Sequence, residues 1–192
     1  MKFEWYKPAR PFTITQAWGV LNPAYAQFGF SHHNGIDFAL QADGKLRAPC
    51  RGIVVRTGNQ PLGGGIFLGL MTEEFDRPIG TRVLIDFLHC AILLKKEGDI
   101  VKIGDVIAIA DSTGFSTGPH THMQTRRVVD WNGGVGDALQ WIGVDKNDAN
   151  NSFDPMPYMA QHYADEYQGI LAGLANTLRI ISEWLSKYGA KT

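Results

Sequence analysis

DIVKIGDVIAIADSTGFSTGPHTHMQTRRVV, residues 99–129, is the segment that indicates the fold most clearly. Two alternating or apolar runs, residues 99–111 and 120–129, flank the turn-rich segment STGFSTGP at residues 112–119. Alternation with a period of two is typical of β-strands, whereas Gly, Pro and Ser concentrate in turns. The stretch therefore predicts strands joined by a structured turn.

Runs of the same kind precede this stretch. They are FTITQAWGV, GIDFAL, RGIVVRTG, GIFLGLMT and RVLIDFLHCAILL, which begin at residues 12, 35, 51, 65 and 82. With 22 glycines and 9 prolines in the chain, short strands and tight turns are favoured over a bundle of long helices. We predict a mainly β fold.

The pattern changes after residue 130. Residues 131–152, rich in Gly, Asn and Asp, predict a long loop, and Ala160 to Tyr188 predicts an amphipathic α-helix. The apolar residues of that helix recur at spacings of three and four around Thr177: Tyr163, Tyr167, Ile170, Leu174, Ile181, Trp184 and Tyr188. We predict a β domain over residues 1–159 and a helical appendage over residues 160–192. This helix either covers its own domain, recruits a partner or mediates self-association.

Composition narrows the possible partners. Hydrophobic residues make up 44% of the chain and charged residues 19%, which is typical of a globular protein and not of a disordered one. A formal net charge of -1, without blocks of like charge, argues against a nucleic-acid partner. Since no stretch is long enough to span a bilayer, we predict no membrane insertion.

The two cysteines, Cys50 and Cys90, lie in apolar surroundings and do not form a CxxC motif. We therefore predict buried free thiols.

Three short segments collect most of the histidines: HNGID at residues 33–37, FLH at 87–89 and GPHTH at 118–122. Residues two apart on a strand share a face, so His120 and His122 point the same way. His33 and Asp37 also have an even spacing, and Gly35 between them leaves room for a close neighbour. Together the segments offer two or three nitrogens and one carboxylate oxygen, which is a zinc ligand set with a position open for water.

HNGID followed by GFSTGPHTH resembles the signature of the lysostaphin and LytM type zinc endopeptidases, the M23 peptidases. RAPCRGIVVRTG, EGDIVKIGDVIAIADSTG and FDPMPYM resemble other parts of that family, so the likeness extends over residues 12 to 159. It implies a compact antiparallel β-sheet core and one zinc ion per chain. Carried over by residue, it makes His33, Asp37 and His122 the metal ligands and His120 and His89 the unligated catalytic pair. The middle segment, residues 65–90, departs from the family's usual glycine-rich hairpin. His89, near the end of this segment, therefore does not stand in the family's usual sequence context.

The resemblance also implies an activity, the hydrolysis of peptide bonds in the stem or cross-bridge of bacterial peptidoglycan. Zinc would activate water and polarise the carbonyl, while either His120 or His89 accepts a proton and the other binds the oxyanion. The alternatives are a non-catalytic LytM-like domain that binds the cell wall or regulates a hydrolase, and a structural virion protein. The opening MKFEWYKPARPF has no features of a secretory signal. We therefore expect a phage product, located in the host cytoplasm before lysis or in the virion, with an extracellular protein as the alternative.

Other residues have two interpretations. Tyr25 precedes the first motif, where the family often has a tyrosine that stabilises the transition state, but ordinary packing also explains it. Arg126 and Arg127 follow the His-x-His pair and either meet a substrate carboxylate or form a solvated strand end. We interpret His32 as structural and His162, at the start of the predicted helix, as solvent-exposed.

Overall fold

The computed structural model describes residues 5–40, 42–73, 82–128, 134, 152–163 and 167–188. Within these residues the chain forms eleven β-strands and one α-helix. The strands are β1 (Trp5–Lys7), β2 (Ile14–Gln16), β3 (Ile36–Ala39), β4 (Lys45–Arg47), β5 (Gly52–Gln60), β6 (Gly65–Thr72), β7 (Arg82–Leu93), β8 (Ile100–Val101), β9 (Val106–Ala110), β10 (His120–Val128) and β11 (Met159–Tyr163), and the helix is α1 (Tyr167–Tyr188).

Nine of these strands form one antiparallel sheet, which confirms the predicted mainly β fold with an antiparallel core. Its order is β2-β3-β10-β7-β6-β5-β8, and β9 pairs with both β4 and β7. The long strand β7 pairs with β6, β9 and β10, so it joins the parts of the sheet. The remaining strands, β1 and β11, form a separate parallel pair.

The two faces of the sheet differ in character because side chains alternate along each strand. On one face Ile85, Phe87 and Met123 are fully buried and belong to the main hydrophobic cluster. Burial of such a side chain stabilises the fold by roughly 1.5–3 kcal/mol. The other face carries His122 and Gln124 of β10, which line a cleft. The alternation along β10 thus determines which of its residues face the cleft.

A short 3₁₀-helix, Pro23–Phe28, borders this cleft. The side chain of Asn22 accepts a hydrogen bond from the backbone N–H of Ala24, and Gly29 ends the helix with a φ of 78°. The ring of Phe28 contacts the ring of Phe115, in the turn before β10, at a centroid distance of 5.1 Å. The two loops therefore meet across the cleft.

The structure corrects the predicted start of the helix. The helix begins at Tyr167, not at Ala160. Residues Met159–Tyr163 form β11, so the prediction that His162 opens the helix is wrong. Strands β1, β4 and β11 were not predicted either. Each is stabilised by a partner that local sequence does not reveal, since β1 pairs with β11 and β4 pairs with β9.

Several apolar side chains of the helix α1 are exposed to solvent. Leu174 is 56% exposed and Ile181 47%, so these two residues do not cover the chain's own sheet, as one of the predicted alternatives required. No described helix is long and apolar enough to cross a membrane. Apart from Gly134 and Ser152, the predicted loop at residues 131–152 lies outside the described residues. The division of the chain into units at residue 160 stays a prediction.

Candidate metal centre

Three side chains that line the cleft converge on one point. His33 Nε2 lies 3.1 Å from Asp37 Oδ1 and 3.0 Å from His122 Nδ1, which itself lies 2.9 Å from Asp37 Oδ1. Strand register explains part of this arrangement, because His122 of β10 is the direct partner of Asp37 of β3. All three residues are buried. Two nitrogens and one oxygen thus lie close enough to bind one ion.

The hydrogen bonds of His33 determine which of its nitrogens faces this point. Its Nδ1 lies 2.9 Å from the carbonyl oxygen of Ala17, which can only accept, so Nδ1 carries the proton. In the neutral ring Nε2 is then an acceptor directed at Asp37 Oδ1, which is also an acceptor. A divalent cation bound by both atoms satisfies them together. The bond from Nδ1 to a carbonyl is the outer hydrogen bond typical of metal-binding histidines.

Gly35 makes room for the ring of His122. A Cβ at this position would lie 2.6 Å from His122 Nε2 and 2.5 Å from the carbonyl oxygen of Met123. His122 therefore places Nε2 against the backbone of Gly35 and turns Nδ1 toward Asp37. The close neighbour predicted for Gly35 from the sequence is therefore His122.

The Asp37 carboxyl and the His122 imidazole have pKa values that favour the forms that bind a metal ion. Burial raises the pKa of Asp37, but the adjoining rings of His122 and His33 outweigh it and hold that pKa well below its usual value. Burial lowers the pKa of His122. A charged carboxylate and a neutral imidazole are the forms that bind metal. A donor set of two nitrogens and one oxygen fits zinc among the divalent ions.

His89 and His120 lie beside these three residues. Their ring centroids are 4.8 Å apart, and His120 Nε2 lies 3.6 Å from Asp37 Oδ2. His89 Nδ1 donates to the carbonyl oxygen of Thr113 at 2.7 Å, and His120 Nδ1 donates to that of Gly118 at 2.8 Å. Because both Nδ1 atoms donate to carbonyls, each neutral ring keeps Nε2 as an acceptor.

His89 adopts a strained backbone. Its φ of 63° is the single positive value among the described residues other than glycine. Such a conformation costs about 1–3 kcal/mol and is concentrated at functional sites. The backbone N–H of His89 donates to the carbonyl oxygen of Gly64 at 2.8 Å, which helps to hold it. Burial lowers the pKa of His89 to about 4, so the ring is neutral at pH 7.

Comparison with known proteins assigns the chain to a family. Residues 31–136, more than half of the chain, match the family model described as Peptidase family M23. The chain belongs to peptidase family M23. The matched residues include His33, Asp37, His89, His120 and His122.

Curated relatives match over a similar part of this M23 chain. The glycyl-glycine endopeptidase ALE-1 of Staphylococcus capitis is 34% identical over 93 residues, and the peptidoglycan DD-endopeptidase ShyA of Vibrio cholerae is 32% identical over 92. Each alignment covers 48% of this chain but only 24% and 20% of the respective relative. The chain thus spans about a quarter or less of the length of these two relatives.

Solved structures match over more of the chain. The catalytic domain of lysostaphin from Staphylococcus simulans aligns with a TM-score of 0.57 and 25% identity, covering 77% of this chain and 91% of that domain. LytU aligns with a TM-score of 0.53 and 32% identity, covering 81% and 89%. The predicted lysostaphin-type fold is therefore confirmed.

The M23 site opens into a cleft of about 410 Å³, and Tyr25 forms part of its wall. The ring of Tyr25 stacks on that of His33 at a centroid distance of 5.5 Å, and its hydroxyl accepts from Gln16 Nε2 at 2.5 Å. Burial raises the pKa of Tyr25. Tyr25 therefore contacts His33, one of the three candidate metal ligands, in addition to packing.

The sequence interpretation missed a second polar group in this cleft. Arg56 Nε and Nη2 donate to the two oxygens of Asp86 at 2.8 and 2.6 Å, and Arg126 Nη1 donates to Asp86 Oδ2 at 3.1 Å. A signal was available, because Asp86 interrupts the apolar run of β7. Of the two predicted arginines, Arg126 lines the cleft, whereas the guanidinium of Arg127 packs over the ring of Phe153, 5.1 Å from its centroid.

Proposed function

We propose that this chain is a zinc-dependent endopeptidase that hydrolyses peptide bonds in the stem or cross-bridge of bacterial peptidoglycan. The observation that carries the proposal is the convergence of His33 Nε2, Asp37 Oδ1 and His122 Nδ1, with no separation above 3.1 Å. These three residues line an open cleft, from which a peptide can reach them.

The donor set and its neighbours have distinct roles in this proposal. His33, Asp37 and His122 hold one zinc ion, which supplies Lewis-acid polarisation of the scissile carbonyl and lowers the pKa of water. Of His89 and His120, one accepts the proton of the attacking water at Nε2 and the other, once protonated, donates to the oxyanion. The carbonyls of Thr113 and Gly118 hold both rings in the tautomer that can accept a proton.

The relatives support the substrate class. Two of them are a glycyl-glycine endopeptidase and a peptidoglycan DD-endopeptidase, and both names describe the cleavage of peptides. The non-catalytic alternative, a cell-wall-binding or regulatory domain, is not favoured because all residues of the proposed ligand set are present and converge.

The test combines metal analysis with hydrolysis. The purified chain is expected to contain about one zinc ion and to release peptides from isolated peptidoglycan. Asp37→Ala is expected to lose both properties. The control Asp43→Ala removes an exposed aspartate that pairs with Lys45, and it should retain both. Protein that holds no stoichiometric metal, or that releases no peptide from any wall type, would contradict the proposal.

A further inference from the structure

A row of polar residues crosses the cleft floor beside the metal centre. In the sheet register Arg56 of β5 pairs with Gly69 of β6, Gly69 pairs with Asp86 of β7, and Asp86 pairs with Gln124 of β10. The next row toward the metal contains Leu88, His122 and Asp37. Because Gln124 and His122 are two apart on one strand, the rows lie about 7 Å apart.

Gly69 allows the arginine to cross its strand. A Cβ on Gly69 would lie 2.6 Å from Arg56 Cγ and 2.7 Å from Asp86 Oδ1. The absence of a side chain there lets Arg56 reach over β6 and bind Asp86 through two hydrogen bonds. Asp86 is fully buried, and this bidentate pair accounts for its charge.

Arg126 is the second guanidinium that binds the carboxylate of Asp86. Its Nη1 donates to Asp86 Oδ2, and its Nη2 donates to Gln124 Oε1 at 2.6 Å. Only 13% of its side chain is exposed, and the residue lines the cleft. Arg126 thus shares the carboxylate of Asp86 with Arg56, and a mostly buried guanidinium that shares a carboxylate is less well compensated than one with a carboxylate of its own. Among the described residues that line the cleft, Arg56, Arg126 and Asp37 are the charged ones apart from histidines, and Asp37 belongs to the metal centre.

We propose that Arg126, supported by Gln124 and by the Arg56–Asp86 pair, forms a subsite for a carboxylate of the substrate. A rigid, planar guanidinium is the group that best binds carboxylates in proteins. The subsite lies about 7–10 Å from the metal centre, which corresponds to two or three residues of extended peptide. The inference rests on the proposed function and narrows it: the substrate is a stem peptide that carries a free carboxylate two or three residues from the scissile bond, rather than a glycine bridge.

The test compares one cross-linked stem peptide in two forms, with its carboxylates free and with them converted to carboxamides. A hydrogen bond to a charged carboxylate is stronger than one to a neutral carboxamide. Wild type is therefore expected to prefer the free form by about 10–100-fold in kcat/KM. Arg126→Gln is expected to abolish this preference, so that it hydrolyses the free and the amidated form with equal kcat/KM. Arg126→Lys keeps the charge and should retain part of the preference.

The matched control is Arg127→Gln, which removes the neighbouring, exposed arginine that packs on Phe153. It should keep the full preference. The wild-type comparison needs no variant, so it remains decisive if Arg126→Gln does not fold.

Equal rates of wild type on the two peptides would overturn the carboxylate subsite and leave the proposed function intact. Hydrolysis of isolated peptidoglycan without hydrolysis of either peptide would also overturn it. If neither the peptides nor any wall were hydrolysed, the proposed function would fail as well.

Discussion

Replacement of Gly35 by alanine should displace the ring of His122, a proposed metal ligand, although no ligand residue is substituted. The added Cβ would lie 2.6 Å from His122 Nε2, so the ring must move by about 0.8 Å to restore an ordinary contact of 3.4 Å. Zinc–ligand distances in proteins hold to within about 0.2 Å. The same Cβ would lie 2.5 Å from the carbonyl oxygen of Met123, so the backbone of β10 resists as well.

The expected result is a zinc affinity lower by about 10–100-fold, the usual effect of disturbing residues around the ligands. Overpacking should also destabilise the fold by about 1–3 kcal/mol. Competition with a chelator measures the affinity, and thermal unfolding of the metal-free protein measures the second effect separately.

The matched control is Gly118→Ala, since a Cβ at Gly118 has no neighbour within 4 Å although the residue lies two positions before His120. It should bind zinc like wild type. Wild-type affinity and activity in Gly35→Ala would refute the close packing of His122 on this glycine.

Other predictions concern the metal, the thiols and the helix. Removal of zinc by a chelator should lower the unfolding temperature in scanning calorimetry, because a ligand that binds only the folded state stabilises it; an unchanged temperature would argue against a specific site. Burial raises the pKa of Cys90 to about 12, and Cys50 is also buried, so neither thiol should react with iodoacetamide at pH 8 until the protein unfolds. The exposed stripe of α1 is expected to mediate self-association, so Leu174→Lys with Ile181→Lys should lower the mass measured by light scattering, and an unchanged mass would exclude it.

Much of the fold could be predicted from alternation alone. The runs that became β5, β6, β7 and β10 are long enough for their period of two to be read directly. Short strands cannot be predicted in this way, because the three residues of β1 contain little more than one period. Its partner β11 was predicted as part of the helix, because the local sequence pattern does not reveal that these residues pair with β1.

The candidate site was partly predictable. The even spacing of His120 and His122, and of His33 and Asp37, predicted which side chains share a face. The convergence of Arg56 and Arg126 on Asp86 was not predictable, because it depends on the register of four strands and on Gly69 between them. The strained backbone of His89 likewise depends on its contact with Gly64.

The most direct test of the account is the zinc content and hydrolysis rate of three alanine variants prepared in parallel. His122→Ala should lose zinc, because it removes one of three protein ligands. His120→Ala and His89→Ala should keep most of the zinc, while turnover falls by about 10²- to 10⁴-fold, the usual contribution of general acid–base catalysis. Equal loss of zinc in the His120 and His122 variants would contradict this division of roles, and a fully active His89 variant would remove that residue from the site.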